Sequence, residues 1–229
     1  MNTKHKKPTL TKKQRHKLRV QQVRRQKIFL TCLFLLIVGC ILLRFSKFSG
    51  RQKETHQLNA ACEAYRDEVS SEAAQYDMSD YVDLILAVMM QESSGQGTDP
   101  MQSSEGAYNA RYPQQPNGIT DPSYSISCGI QELKYALDKA GCTGPTDLSK
   151  IRLALQAYNF GADSYFAYLE ENGQTVWTAQ SAQAFAQMAS GNTQRDEDDP
   201  LHDPAGPWDY GDQYYPDHVL RYYHLDNNS

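Results

Sequence analysis

The chain has 229 residues and a formal net charge of −4, but this total combines two parts of opposite charge. Residues 1–50 contain 13 of the 23 Lys and Arg residues and none of the 27 Asp and Glu residues. Because the remainder is strongly acidic, it would repel phosphates, which argues against a nucleic-acid partner. The length allows one or two domains.

An uninterrupted apolar segment, IFLTCLFLLIVGCILL, follows the basic residues and occupies 28–43. This order is typical of a membrane anchor whose basic side stays in the cytoplasm. We therefore expect a basic cytoplasmic tail at 1–27, a transmembrane helix at 28–43, a linker at 44–57 and a domain outside the cell at 58–229. A cleaved signal peptide is the alternative, although no small-residue cleavage site follows the apolar segment directly.

Helical periodicity runs through most of the remaining sequence, and no segment alternates in the manner of a strand. The predicted helices cover 58–76, a segment after Asp77 or Ser79 that ends near Gly95, 127–140, 149–160, 162–171, 178–190 and a segment near 215–225. Residues 96–125 are rich in Gly, Pro, Asn, Ser and Asp and are predicted to be a long structured loop. The acidic segment 191–209 is predicted to be irregular. The sequence thus predicts a mainly α-helical domain behind one N-terminal transmembrane helix.

Cysteine and histidine spacing gives no sign of a metal or cofactor. Cys62, Cys128 and Cys142 lie beyond the apolar segment, where a Cys128–Cys142 disulfide and free buried thiols are both compatible with the sequence. The histidines at 202, 218 and 224 lack the spacing of a zinc site or of a Cys–His pair. We expect neither a metal ion nor a cofactor.

Glu92 has the surroundings of a general acid. It follows the apolar run YVDLILAVMM and stands near the C-terminal end of the predicted helix. Burial and the negative end of the helix dipole both raise the pKa of a carboxyl group, which can then stay protonated near neutral pH. Cleavage of a glycosidic bond needs such a proton donor. From position alone, a glutamate in the last turn that simply reaches solvent is the simpler interpretation.

Further motifs follow Glu92 in a recognisable order. They are MMQESSG at 89–95, DPMQSSEGAYN at 99–109, PNGITDPSYSISCGIQ at 116–131, ALQAYNFG at 154–161 and YGDQYYPDHVLRYY at 210–223. Together they resemble the lysozyme-like proteins of conjugative transposons and Gram-positive cell-wall hydrolases, within the goose-type lysozyme and soluble lytic transglycosylase superfamily. The resemblance implies a lysozyme-like helical domain that cleaves the β-1,4 bond between N-acetylmuramic acid and N-acetylglucosamine in peptidoglycan.

The resemblance also implies roles for individual residues. The catalytic acid of the superfamily falls on Glu92, its glycine-plus-glutamine motif on Gly129 and Gln131, and its Ala-Tyr-Asn motif on 157–159. One wall of the cleft falls on the loop at 102–105. The implied substrate-binding residues are Gln102, Ser104, Glu105, Gln131, Tyr158 and Asn159. Tyr158 can instead be a core residue, and Gly129 is more simply explained by a close approach of two segments than by binding.

Two kinds of glycosidase are compatible with these motifs. A hydrolase needs a second carboxylate, for which Glu105, Asp99 and Asp121 are candidates, although each can instead organise a loop or cap a helix. A lytic transglycosylase needs no second carboxylate, because the C6 hydroxyl of the substrate attacks the anomeric carbon.

The resemblance further implies partners and a setting. The partners are peptidoglycan glycan strands, the cell membrane and a conjugation or type IV secretion apparatus. The setting is local wall opening for conjugation or wall remodelling in a Gram-positive cell. Several relatives carry a second, cysteine-peptidase domain that this sequence lacks, so peptide cleavage is not expected. The alternatives are a peptidoglycan-binding scaffold with little or no catalysis and a membrane adaptor whose basic tail binds anionic lipid.

Overall fold

In the computed structural model, which describes residues 56–199 and 202–224, those residues form eight α-helices and no strand. The helices are α1 (Ala60–Glu63), α2 (Arg66–Gln75), α3 (Val82–Ser93), α4 (Pro122–Ala140), α5 (Leu148–Phe160), α6 (Ala162–Glu171), α7 (Ala179–Ala189) and α8 (Tyr215–Leu220). A 3₁₀ turn at Ser79–Tyr81 precedes α3, and an isolated antiparallel bridge joins Gln194 to Trp208. The prediction of a mainly α-helical domain is confirmed.

The predicted transmembrane segment at 28–43 lies outside the described residues, as do the predicted tail at 1–27 and nearly all of the linker at 44–57. Within the part of the chain that the structure describes, no helix is both long enough and apolar enough to cross a membrane. The anchor and its boundaries therefore stay predictions.

Helix α3 is the centre of the described domain. Residues 84–89 are all fully buried, as expected of a helix that is apolar on every side. It packs against α1, α2 and α8, while α5 packs against α4, α6 and α8. The short helix α8 therefore joins the two halves of the core, and it places the C-terminal part of the chain next to the end of α3.

The end of α3 is fixed by two residues in left-handed backbone conformation. Ser94 has φ of 57° and Gly95 has φ of 72°. A Cβ atom at Gly95 would lie 2.8 Å from the backbone nitrogen of Cys62, so only glycine fits this close approach. The chain turns away from α3 at this point, and Glu92 is left in the last helical turn.

Some helix boundaries differ from those predicted. The single helix predicted at 58–76 is two helices, because a turn at 64–65 separates α1 from α2. Helix α4 begins at Pro122 rather than 127, since the side chain of Asp121 caps its first turn and proline suits the first helical position. Neither Asp77 nor Ser79 caps α3, which follows the 3₁₀ turn instead. Helix α8 is shorter than predicted and ends at Leu220.

The three cysteines in the described residues are free thiols, so the free-thiol alternative is confirmed for them and the Cys128–Cys142 disulfide is not formed. Cys62 and Cys128 are buried. Burial raises the pKa of Cys62 to about 11, helped by the negative charge of Glu63. Burial also raises the pKa of Cys128. Both side chains act as small apolar groups in the core.

Candidate active site

Glu92 lies where the buried end of α3 meets a cavity of about 530 Å³. Its Oε1 accepts a hydrogen bond from the hydroxyl of Tyr215 at the start of α8. The pKa of Glu92 is raised to about 7, chiefly by burial; the hydrogen bond from Tyr215 opposes this rise, and the charges of Asp212, Asp99 and Glu132 add to it. A carboxyl group with this pKa is about half protonated at neutral pH.

Two stacked tyrosines support the carboxyl group. The rings of Tyr158 and Tyr215 lie 6.3 Å apart between centroids with an angle of 22° between their planes. The Tyr158 hydroxyl donates to the backbone carbonyl of Met101 at 3.0 Å, which links α5 to the loop after α3. Burial raises the pKa of both tyrosines well above the usual range. Tyr215 therefore stays protonated and remains a hydrogen-bond donor to Glu92.

A second carboxylate, Asp212, lines the same cavity. Its backbone nitrogen donates to Asn159 Oδ1 at 2.7 Å, which fixes the segment before α8 against the end of α5. Its side chain is 27% exposed, with Oδ2 lying 2.5 Å from His218 Nδ1 and Oδ1 accepting from the backbone nitrogen of Tyr214 at 2.8 Å. The hydrogen bond to Asp212 raises the pKa of His218. The Asp212 carboxylate is thus held in one orientation.

Asp99 organises the loop that follows α3. This carboxylate is 2% exposed and accepts hydrogen bonds from the backbone nitrogens of Ser103 and Ser104 at 3.0 and 3.1 Å. It also accepts from the hydroxyl of Ser104, and from the hydroxyl of Ser125 on α4 at 2.6 Å. The Ser104 hydroxyl in turn accepts from the backbone nitrogen of Ile119 at 2.8 Å. Both Asp99 and Ser104 are occupied by contacts within the loop and, for Asp99, with the start of α4.

The structure brings only some of the predicted site residues together. Gln102 and Asn159 line the cavity beside Glu92, and the Gln102 amide donates to the Asp99 carbonyl at 2.9 Å. The described residues that line this cavity do not include Ser104, Glu105, Gln131 or Tyr158.

The remaining predicted residues have contacts of their own. Glu105 is exposed on the loop after α3. The Gln131 amide donates to the backbone carbonyl of Ser127, one turn earlier in α4, at 3.1 Å. Asp121 caps that helix, as its candidate role as a capping residue predicts.

Gly129 has the steric role that the sequence suggested. A Cβ atom at this position would lie 2.6 Å from Cβ of Met101, which is nearer than real Cβ contacts allow. Glycine therefore lets α4 approach the loop that follows α3. Since the backbone carbonyl of Met101 also accepts the hydrogen bond from Tyr158, this close approach helps to position Tyr158, which stacks on Tyr215.

Asp212, Tyr215 and His218 were not singled out by the sequence. They lie in the segment YGDQYYPDHVLRYY, which carried part of the resemblance but no assigned role. The available signal was their order in that segment: an aspartate and a histidine six residues apart, with a tyrosine between them at the start of a helix.

The lysozyme-like family matches residues 60–223. The chain belongs to this family. The bifunctional muramidase/DL-endopeptidase CwlT of Bacillus subtilis is 36% identical over 169 residues, which cover 74% of this chain and 44% of CwlT. The uncharacterized membrane protein YocA of the same organism is 40% identical over 111 residues, covering 48% of this chain and 45% of YocA. These relatives confirm the predicted resemblance to Gram-positive cell-wall hydrolases.

A solved structure supports the same assignment. A Staphylococcus aureus protein described as similar to a lipoprotein of the NLP/P60 family has a TM-score of 0.62 and 27% sequence identity. The match covers 76% of this chain and 56% of that protein. A pneumococcal vaccine antigen A homolog of Streptococcus pyogenes is 37% identical over 48% of this chain and 50% of its own length. This lysozyme-like chain thus spans about half the length of the curated relatives it matches.

Proposed function

We propose that this lysozyme-like domain cleaves the β-1,4 bond between N-acetylmuramic acid and N-acetylglucosamine in peptidoglycan, with Glu92 as general acid. The observation that carries the proposal is the Glu92 carboxyl group at the cavity, held by Tyr215 and with a pKa raised to about 7. In its protonated form it can donate to the leaving oxygen. The naming of CwlT as a muramidase supports this class of substrate.

The second carboxylate in the cavity supports hydrolysis rather than transglycosylation. Asp212 lines the same cavity as Glu92, and its charge is one cause of the raised pKa of Glu92. A carboxylate that is held by His218 and by the backbone of Tyr214 can orient a water molecule or stabilise the positive charge that develops on the sugar. After Glu92 has donated its proton to the leaving oxygen, it is ionised and can accept a proton from that water.

The direct test measures the products. The purified full-length chain, kept in detergent, is mixed with purified Gram-positive walls, and turbidity is followed. A scaffold would bind the walls without clearing them. Mass analysis of the released muropeptides then separates the two chemistries, because a reducing end is heavier than an anhydro end by one water. We expect reducing ends of N-acetylmuramic acid.

The substitution Asp212→Asn tests the hydrolytic route. We expect a loss of turnover of about 10²-fold or more, the scale of a positioned catalytic group, because the amide carries no negative charge to stabilise the positive charge that develops on the sugar. The control is Glu105→Gln, which changes an exposed carboxylate that does not line the cavity and should retain most activity. Anhydro ends from the wild type, together with near-normal turnover in Asp212→Asn, would establish transglycosylation instead.

The pH dependence of cleavage follows from the pKa of Glu92. Because the acid must be protonated, we expect kcat/KM on soluble glycan fragments to fall as the pH rises through about 7. The hydrogen bond from Tyr215 lowers the pKa of Glu92, so Tyr215→Phe should move this fall to higher pH. The measurement is a pH profile of kcat/KM for both proteins. An alkaline limb that stays at the same pH in Tyr215→Phe would contradict the role of Tyr215.

The location of the domain stays a prediction of the sequence. The name of YocA as a membrane protein supports a membrane location, while the anchor at 28–43 and the placement of the domain outside the cell rest on the sequence. A conjugation or type IV secretion apparatus as partner rests on the resemblance alone.

A further inference from the structure

Arg221 is a basic side chain in the cavity that contains Glu92, immediately after the end of α8. Its Nη2 donates to Oε1 of Gln91 at 3.0 Å, so the guanidinium is held beside the residue that precedes Glu92. Its carbon Cζ lies 5.0 Å from the centre of the Tyr222 ring. The Nε atom is buried and has no hydrogen-bond partner within the described part of the chain. The guanidinium is therefore held in place by Gln91 and Tyr222.

No carboxylate in the described ranges forms an ion pair with Arg221. Of the three carboxylates that line the cavity, Glu92 is bound by Tyr215, Asp212 is bound by His218, and Asp203 accepts from the backbone nitrogen of Ala205 at 2.8 Å. Among the described basic side chains, Arg111 and Lys150 likewise form no ion pair: Arg111 lies over the Tyr124 ring and Lys150 donates to the Thr175 carbonyl. Five others contact carboxylates, namely Arg66, Lys134, Lys139, Arg152 and Arg195.

His202 and His218 line the same cavity as Arg221, and these three side chains are together called the corner. His202 has a buried Nδ1 without a partner among the described residues, and His218 is bound to Asp212. The hydrogen bond to Asp212 raises the pKa of His218, whereas the positive charge of Arg221 lowers it. The lining of the cavity thus combines a permanent positive charge with two imidazole rings.

The chemistry of the proposed substrate supplies a group that fits this corner. The muramic acid at the scissile bond carries a peptide stem on its lactyl group, and the stem has free carboxylates. A guanidinium binds a carboxylate more strongly than it binds a neutral hydroxyl, and it fits its planar shape. Because the chain after residue 50 is acidic overall, its long-range field does not attract anions, and any such contact must be local.

We infer that Arg221 determines specificity by binding a carboxylate of the peptide stem on the muramic acid held next to Glu92. The inference rests on the proposed function and names the part of the substrate that this corner recognises. Arg221 acts on substrate binding and takes no part in proton transfer. The enzyme should therefore prefer stems with free carboxylates over stems in which these groups are amides.

The test compares two soluble glycan substrates that differ only in charge. Both are uncrosslinked strands with intact stems and without teichoic acid, and in one of them carbodiimide and ammonia have converted the stem carboxylates to amides. For the wild type we expect a KM about 10-fold higher on the amidated strands at similar kcat, the scale of one hydrogen bond to a charged group. Arg221→Gln should show the higher KM on both substrates.

Two further variants make the result specific. Arg221→Lys keeps the charge but not the forked donors and should retain part of the preference. Arg66→Gln removes the same charge from an exposed pair with Glu63 and Asp83, outside the cavity, and should discriminate like the wild type. Dissociation constants for both strands are measured alongside the rates, so binding is tested even where cleavage is weak.

The outcomes are separable. Equal KM and equal affinity of the wild type for the two strands, or an unchanged preference in Arg221→Gln, would overturn the inference. A preference that appears only when wall teichoic acid is left on the strands would assign Arg221 to a phosphate and overturn it too. If the wild type cleaves neither strand, the proposed function fails, whereas tighter binding of the carboxylate form that is lost in Arg221→Gln would still support the contact.

Discussion

Replacing Glu92 by glutamine is expected to lower the turnover of peptidoglycan cleavage by about 10²–10⁴-fold without disturbing the fold. The amide is nearly the same size and its oxygen can still accept the hydrogen bond from Tyr215. It has no acidic proton to give to the leaving oxygen, so the general acid is lost. Initial rates of muropeptide release measure the effect, and a thermal unfolding curve shows whether the domain is intact.

Glu105→Gln is the matched control for this variant, because it makes the same chemical change at an exposed residue of the loop after α3. It should keep most of the wild-type turnover. Retention of more than about a tenth of the wild-type rate in Glu92→Gln would exclude Glu92 as the catalytic acid, since general acid catalysis is worth at least about 10²-fold.

Asp99→Ala is expected to lower the free energy of unfolding by about 3 kcal/mol or more. The substitution leaves the backbone nitrogens of Ser103 and Ser104 without an acceptor in a buried loop. The hydroxyl of Ser125 loses its acceptor as well. Each orphaned buried donor costs about 1–3 kcal/mol. Equilibrium unfolding in urea gives the difference.

Two comparisons define the Asp99 result. Asp99→Asn keeps one acceptor oxygen and should be less destabilising than Asp99→Ala. Asp198→Ala removes an exposed carboxylate and should change the free energy of unfolding by no more than about 0.5 kcal/mol. A loss in Asp99→Ala as small as that of Asp198→Ala would show that the loop does not depend on this carboxylate.

The central helix and its terminal glutamate could be predicted from the sequence because their signals are local. The ten-residue stretch YVDLILAVMM, nine of whose residues are apolar, ends two positions before Glu92, and a glycine follows Glu92 closely. The structure confirms the helix and the burial of its apolar residues at 84–89. The start of α4 was also a local signal, in the pair Asp121–Pro122, but the prediction did not use it.

The surroundings of Glu92 could not be predicted in the same way because they are made by distant segments. Tyr215 is 123 residues from Glu92, and Asp212 is positioned by Asn159 on α5. No periodicity connects such positions. Glu105 was a candidate because the resemblance placed its loop along the cleft, but the direction of that loop depends on contacts such as the hydrogen bond between Asp99 and Ser125, which are 26 residues apart.

Because the described cysteines are free thiols, the folding of this domain does not depend on the oxidation state of its surroundings. Cys62 and Cys128 are buried, and burial keeps their thiols protonated at neutral pH, so both are poor nucleophiles. The described part of the chain therefore reaches its folded state without a thiol oxidant or a disulfide isomerase. A reducing agent has no cross-link to break among these residues, and the same packing can form on either side of a membrane.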